Sequence, residues 1–199
     1  MVAKDVVDVL LQLSRVLLAE NDGDRLTSAQ WIALRYFSRA NSYSRTLSGL
    51  AQYQATTPGT VSQTIKSLEN AGYLERDISL RDARSSVFTV TDAGRAVMEE
   101  DPLAHLSQEV EHLSGAELVQ FRNILRFLIA NVGLDRPSHP FGTCRDCAFL
   151  LARRGRSVGA DADVTYLCKF LKFSLLAADL DNLCRNFQAV TSQQRPETL

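Results

Sequence analysis

The fold is decided by Thr57-Pro58-Gly59-Thr60-Val61-Ser62-Gln63-Thr64-Ile65-Lys66-Ser67-Leu68-Glu69-Asn70, which runs into Ala71-Gly72. Thr57 carries the side chain of a helix N-cap, and Pro58 stands at the first helical position, where its missing N–H is not needed. Ala71-Gly72 reads as the C-terminal stop. Between these signals Val61, Ile65 and Leu68 recur at helical spacing as one apolar face. At about 100° per residue, Gly59, Gln63, Lys66 and Asn70 fall opposite, with Thr60, Ser62 and Ser67 beside them. Small polar and amide side chains with one cation suit base edges and phosphates in a major groove. Gly59 lets the helix N-terminus approach a phosphate, where free N–H groups favour an anion. Such residues also make an ordinary solvated face, so the neighbouring segments decide between the two.

Upstream, Thr27 or Ser28 caps a helix through Ile32, Leu34 and Phe37; a loop over 41–44 and a short helix, Leu47–Tyr53, follow. Downstream, residues 73–77 and 86–90 alternate as two strands joined by the polar loop 78–85. Arg81 and Arg84 flank Asp82 in that loop, and arginines at the tip of a β-ribbon are placed to enter a minor groove. The plain alternative for them is a solvated turn. A short helix, a tight turn, a second helix and a hairpin form the winged helix-turn-helix order.

Residues 2–20 place Val2, Val6, Val9, Leu10, Leu13, Val16 and Leu17 at helical spacing, and residues 118–129 do the same with Leu118, Phe121, Ile124, Leu125, Leu128 and Ile129. These faces suit a dimerisation stem or an intrachain core equally. Between hairpin and stem, Thr91-Asp92-Ala93-Gly94 opens a helix to about Leu113 that Pro102 breaks. Asp5, Asp8 and Gln12 interrupt the first apolar face and no small-residue cleavage site follows, so it is not a signal peptide. No apolar run approaches the roughly 20 residues of a membrane span; a cytoplasmic protein without membrane contact is expected.

The 199 residues are 45% hydrophobic and 23% charged, which excludes a disordered or collagen-like chain. The net charge of −1 is unevenly spread: six acids and no Lys or Arg over 99–117, then seven arginines over 122–156. Any polyanion contact must therefore be local. No metalloprotease, phosphate-loop, nucleophile-elbow or dinucleotide fingerprint occurs, so no enzymatic activity is expected.

Leu47-Ser48-Gly49-Leu50-Ala51 with Thr57–Glu69, Ala71-Gly72-Tyr73-Leu74-Glu75-Arg76, Asp82-Ala83-Arg84-Ser85 and Val90-Thr91-Asp92-Ala93-Gly94-Arg95 resembles the reading head of the MarR (multiple antibiotic resistance regulator) family. The resemblance covers about residues 5–132. It implies a homodimer held by the first helix and the two helices after the wing, a palindromic double-stranded DNA operator, and repression relieved by a signal. It also implies that Ser62, Gln63 and Lys66 are groove residues, that Arg84 is the wing-tip arginine and that Asp82 orients it. Thr57, Gly59, Thr60 and Arg81 complete the expected DNA-binding set.

The chain departs from the family after Val132. A linker over 133–143 with Pro137 and Pro140 leads to a segment, 144–190, that holds all four cysteines, and 191–199 is a polar tail. The fold expected overall is mainly α with a small β-hairpin wing, a helical stem and a helical cysteine-rich extension. Cys144-x2-Cys147, Cys168 and Cys184 confined to one appended segment suggest one metal centre with four thiolate ligands. A helix starting near Asp146, with Arg145 beside it, would lower the thiol pKa values. An isolated second pair in apolar, helix-like sequence suits an iron–sulfur cluster somewhat better than zinc. The alternatives are buried core thiols, a thiol–disulfide switch, and a regulator of small aromatic or phenolic effectors whose cysteines hold structural zinc. His105 and His112 read as a solvated pair, and His139 as a minor candidate ligand.

Overall fold

The computed structural model describes residues 1–19, 26–78, 85–132, 140–154 and 164–190. Its helices are α1 (Val2–Ala19), α2 (Ser28–Arg39), α3 (Leu47–Tyr53), α4 (Pro58–Asn70), α5 (Asp92–Met98), α6 (Ala104–Glu111) and α7 (Gly115–Val132), with β1 (Leu74–Ile78) and β2 (Ser86–Val90) between α4 and α5. A threonine starts each of α2 to α5. Thr27 forms a reciprocal capping box with Gln30, and Thr46, Thr57 and Thr91 accept from the backbone N–H of Gly49, Thr60 and Gly94. Helix α4 ends on Ala71, followed by Gly72 at φ +75°, a conformation that glycine adopts without strain.

The apolar face of α4 is fully used: Val61, Ile65 and Leu68 are buried with Trp31, Leu34, Phe37, Leu50, Phe88 and Val90 in one core. Helix α3 approaches α2 so closely at Gly49 that a Cβ there would lie 2.3 Å from both the Ser44 carbonyl oxygen and the Tyr36 hydroxyl. The wing strands pair antiparallel from Leu74↔Val90 to Ile78↔Ser86. Arg76 is bidentate to Glu69 at 2.9 Å and lies over the Phe88 ring, which fixes the base of the wing on α4.

The expected break at Pro102 separates α5 from α6. There Asp101 takes two hydrogen bonds from Arg35 of α2 and one from the Leu103 N–H. Burial pushes its carboxyl up, but the hydrogen bonds from Arg35 and Leu103 outweigh that and hold it below the ordinary value of 3.8. A carboxylate lowered on folding contributes stability at neutral pH, and that contribution fades as the pH drops below 3.8 through the folded-state value. Asp101→Ala is expected to cost about 2 kcal/mol, measured by urea unfolding at pH 7, with the gap to the parent closing in acid.

Helices α1 and α7 leave their apolar residues outside. Val6, Val9, Leu13 and Val16 on α1, and Val119, Phe121, Ile124, Phe127 and Ile129 on α7, are exposed. The alternative of an intrachain core for these faces is not realised in the single chain. Among the described residues no helix is long and apolar enough to cross a membrane.

The extension is not helical as expected. It comprises β3 (Gly142–Thr143), a 3₁₀ turn Cys144–Asp146, β4 (Leu150–Arg154), β5 (Val164–Cys168), β6 (Phe173–Leu175), a 3₁₀ turn Ala177–Asp179 and β7 (Leu183–Cys184). Strands β4, β5 and β6 form an antiparallel sheet, and β3 pairs with β7. The expected helix from Asp146 is a turn followed by a strand. Short apolar runs fit a strand as well as a helix, and β-branched and aromatic residues such as Val164, Thr165 and Tyr166 favour the strand. Lys172 at φ +56° then reverses the chain after Cys168, which a continuous helix would not allow. The second half of the expected linker is also structured: Phe141 packs on the rings of Tyr36 and Tyr53, and Gly142-Thr143 is a strand. Residues 133–139 and 191–199 of the expected linker and tail lie outside the described residues.

Candidate nucleic-acid interface and cysteine centre

Helix α4 presents Thr57, Gly59, Thr60, Ser62, Gln63, Lys66, Ser67 and Asn70 to the exterior, all exposed, on the side away from its buried face. Thr57 is occupied as the cap, sharing a hydrogen bond with the Thr60 hydroxyl at 3.0 Å. Ser67 is held from α2 by the Gln30 amide at 2.9 Å. A Cβ on Gly59 would meet no atom closer than Thr57 Oγ1 at 3.8 Å, so packing does not require glycine there. The expected wing-tip residues Arg81, Asp82 and Arg84 lie outside the described residues.

The structure brings the four cysteines together. Cys144, Cys147, Cys168 and Cys184 are all reduced and buried, and they line one small cavity with Phe149, Leu150, Phe170, Leu171, Leu175 and Asn186. Each cysteine-bearing segment turns at its sulfur. The Cys147 N–H bonds the Cys144 carbonyl at 3.1 Å, the Leu171 N–H points at Cys168 Sγ at 3.5 Å, and the Phe187 N–H bonds the Cys184 carbonyl at 3.3 Å. His105 and His112 are not among the residues lining this cavity, and His139 lies outside the described residues. Among the described residues no group of three or more His, Cys, Asp or Glu side chains is placed so that it could hold a metal ion.

The expected lowering of the thiol pKa does not occur at Cys144 or Cys184. Burial pushes Cys144 up to about 12, and the adjacent Cys184, Cys147 and Cys168 push it the same way against a hydrogen bond from Asn41. Burial also raises Cys184. Arg145 takes no part, because its guanidinium is bidentate to Asp181 at 2.8 Å. A cation entering this apolar space would have to displace the protons of Cys144 and Cys184.

The cysteine unit is docked on both halves of the chain. Ala40 and Leu183 form a bridge, the Asn41 N–H bonds the Leu183 carbonyl at 2.9 Å, and Gln52 of α3 donates to the Arg185 carbonyl at 3.1 Å. The Arg185 guanidinium bonds Ser48 at 2.7 Å and Thr46, the α3 cap, at 3.4 Å. On the other side Asp146, inside the Cys144–Cys147 turn, pairs with Arg122 at 2.7 Å and Arg126 at 3.4 Å on α7, and Arg126 also lies over Phe187. Asn41, Ser44, Asp146, Arg185 and Asn186 were not singled out by sequence reasoning. The one signal for the last three is that they flank cysteines.

Residues 26–85 match the sequence model of the MarR family. No curated protein matches the chain. Among solved structures it is similar to CouR from Rhodococcus jostii RHA1 bound to p-coumaroyl-CoA, with 16% identity and a TM-score of 0.53 over 68% of this chain and 96% of that one. It is also similar to the S. aureus MepR–DNA complex, with 18% identity and a TM-score of 0.50 over 66% of this chain and 98% of that one. The likeness to these structures is one of fold. Both likenesses stop short of the full chain, as the appended cysteine segment leads one to expect.

Proposed function

We propose, from the match of residues 26–85 to the MarR family, that the chain is a homodimeric, sequence-specific DNA-binding regulator, acting as a repressor, whose operator affinity depends on a four-cysteine metal centre. The observation that carries the DNA reading is α4: one face buries Val61, Ile65 and Leu68, and the other exposes Gly59, Ser62, Gln63 and Lys66 with no packing duty for Gly59. Groove width and helix diameter match, so this face can lie along base edges. The unpartnered apolar faces of α1 and α7 support a second copy as the natural cover, and a two-fold dimer calls for a palindromic operator.

Gly59→Ala separates fold from function. It is expected to leave stability unchanged or raise it by about 0.5–1 kcal/mol, since glycine is the poorer helix residue. It is expected to weaken operator binding by moving the helix N-terminus off a phosphate. Gln63→Ala should remove roughly 1–3 kcal/mol of base discrimination at one position in each half-site. Thermal melts with mobility-shift titrations on a selected operator check both; parental affinity in the two variants would overturn the assignment of α4.

The convergence of four sequence-distant cysteines on one cavity supports the metal centre. Cys144, Cys147, Cys168 and Cys184 would hold it, with the Leu171 N–H group turned toward the Cys168 sulfur. The Asn186 side-chain Nδ2, buried and lacking a hydrogen-bond partner, borders the same cavity and is suited to a sulfide acceptor. With the dry lining of Phe149, Phe170 and Leu171, this favours an iron–sulfur cluster, which supplies one-electron redox chemistry when bound. Zinc has one observation on its side: the cavity as it stands, about 10 Å³, suits a single ion. Anaerobic purification followed by iron, sulfide and zinc analysis decides between them, and a full-length protein without any of the three after reconstitution would overturn the centre. A small aromatic effector is the second regulatory reading. A groove of about 1,080 Å³ between the wing and α3, bordered by Arg45, Arg76, Phe88 and Arg185, offers it space.

A further inference from the structure

The groove between the wing and α3 is lined by Arg45, Arg76 and Arg185 beside the exposed Ser42 and Ser48, with Asp77 as its one acid among the described residues. Its three arginines are satisfied differently. Arg76 is committed to Glu69. Among the described residues no carboxylate pairs with Arg45 or Arg185. Arg45 is fixed by its main chain, since its carbonyl accepts the Phe88 N–H of β2 at 2.8 Å.

Arg185 comes from the cysteine unit, and it is held more firmly than a solvated arginine needs to be. Its N–H donates to the Ser44 hydroxyl at 3.0 Å, and its carbonyl accepts the Gln52 amide at 3.1 Å. Its Nη1 donates to Ser48 at 2.7 Å and to Thr46 at 3.4 Å. Ordering a long side chain costs rotamer entropy, and here the fold has already done so. Two neutral hydroxyls orient the guanidinium without cancelling its charge. A fixed, uncancelled guanidinium is matched in shape and sign to a phosphate.

The walls of the groove are the elements that a winged helix-turn-helix sets against a sugar–phosphate backbone. The first helix of the motif crosses that backbone, and the ribbon enters the minor groove beside it. Here the first helix is α3, packed on α4. The groove follows residues 42–48 and both wing strands, a length suited to a running backbone, and the Phe88 ring that a small aromatic acid would use is closed into the core. Resting on the DNA-binding reading above, we propose that the appended cysteine unit is itself part of the DNA interface: Arg185, seated on the start of α3, and Arg45 bind operator phosphates beside the base edges that α4 reads. The role does not depend on what the cysteines bind.

Salt-dependent titration of the full-length protein tests this, with a duplex selected from random-sequence DNA and a scrambled duplex of the same length. Each neutralised phosphate contributes about 0.9 to the slope of log affinity against log salt. Arg185→Gln and Arg45→Gln are each expected to reduce that slope by about 1 per chain and to weaken both duplexes by the same factor. Arg185→Lys keeps the charge and is expected to keep the slope. A parental slope in Arg185→Gln, whether or not its affinity falls, means that Arg185 only braces α3, and it overturns the inference. Arg45→Gln leaves the main-chain bond to Phe88 intact, so its slope decides in the same way should Arg185→Gln fail to fold. Release of the selected duplex by benzoate, abolished in both variants with the slope unmoved, gives the groove to a small acid and equally overturns it. In each of these cases Gln63→Ala still alters discrimination between the duplexes, and the DNA reading stands. A parent that binds neither duplex overturns that reading itself.

Discussion

On the proposed metal reading, Cys184→Ser is expected to abolish the centre and open residues 140–190 while the winged helix stays folded. Besides the four cysteines, the buried apolar residues described in that unit are Leu175, Leu180 and Phe187. A unit of about 50 residues with so little core falls in the size range where folding needs a metal or a disulfide, and no disulfide is present. Structural metal sites contribute roughly 10–16 kcal/mol of apparent binding energy to such units. Cys184 is the most damaging choice because it pairs with Gly142 at the closure of the unit, borders the cavity and carries the Arg185 link. Hydrogen exchange should show protection retained over 26–90 and lost over 140–190, and a chelator should do the same to the parent. Undiminished protection over 140–190 in the variant would show that apolar packing alone suffices.

Gly49→Ala is expected to cost about 3 kcal/mol and to lower Tm by about 6–12 °C. Both obstructing groups are fixed: one is backbone at Ser44, and the other is the buried Tyr36 hydroxyl bonded to it. Relief requires α3 to move away from α2, which breaks that hydrogen bond and loosens Leu50 in the core. The same movement disturbs the seat of Arg185 on Ser48, so the variant should also loosen the cysteine unit. A melting temperature within a degree of the parent would show that the α2–α3 contact yields easily.

The winged helix was legible because each of its elements carries its own start and stop. Thr27, Thr57, Pro58 and Gly72 mark boundaries through local backbone chemistry, and Val61, Ile65 and Leu68 have only one helical period that fits. The extension lacked such marks. The runs around Cys168 and Cys184 are short and apolar, and what bends them into strands and turns is the meeting of distant segments, such as Cys168 pairing with both Leu150 and Phe173. The cysteine set was legible from composition, because four thiols in one appended segment already imply a common purpose. Their supporting residues were not. Nothing in the spacing of Asn41 and Ser44 relates them to residues near position 184, and Arg145, the obvious neighbour by sequence, is turned away to Asp181.

The separation between Ser44 and Arg185, 141 residues along the chain, also orders events during synthesis. At about 5–20 residues per second, the loop leaves the ribosome roughly 7–28 seconds before its partner exists. The contacts within residues 26–90 are short-range and form in far less time than that. Every molecule is therefore born with a folded winged helix whose Asn41 and Ser44 still face water, and their contacts with Leu183 and Arg185 form only later. A chain broken off after α7 keeps the head in that early state permanently.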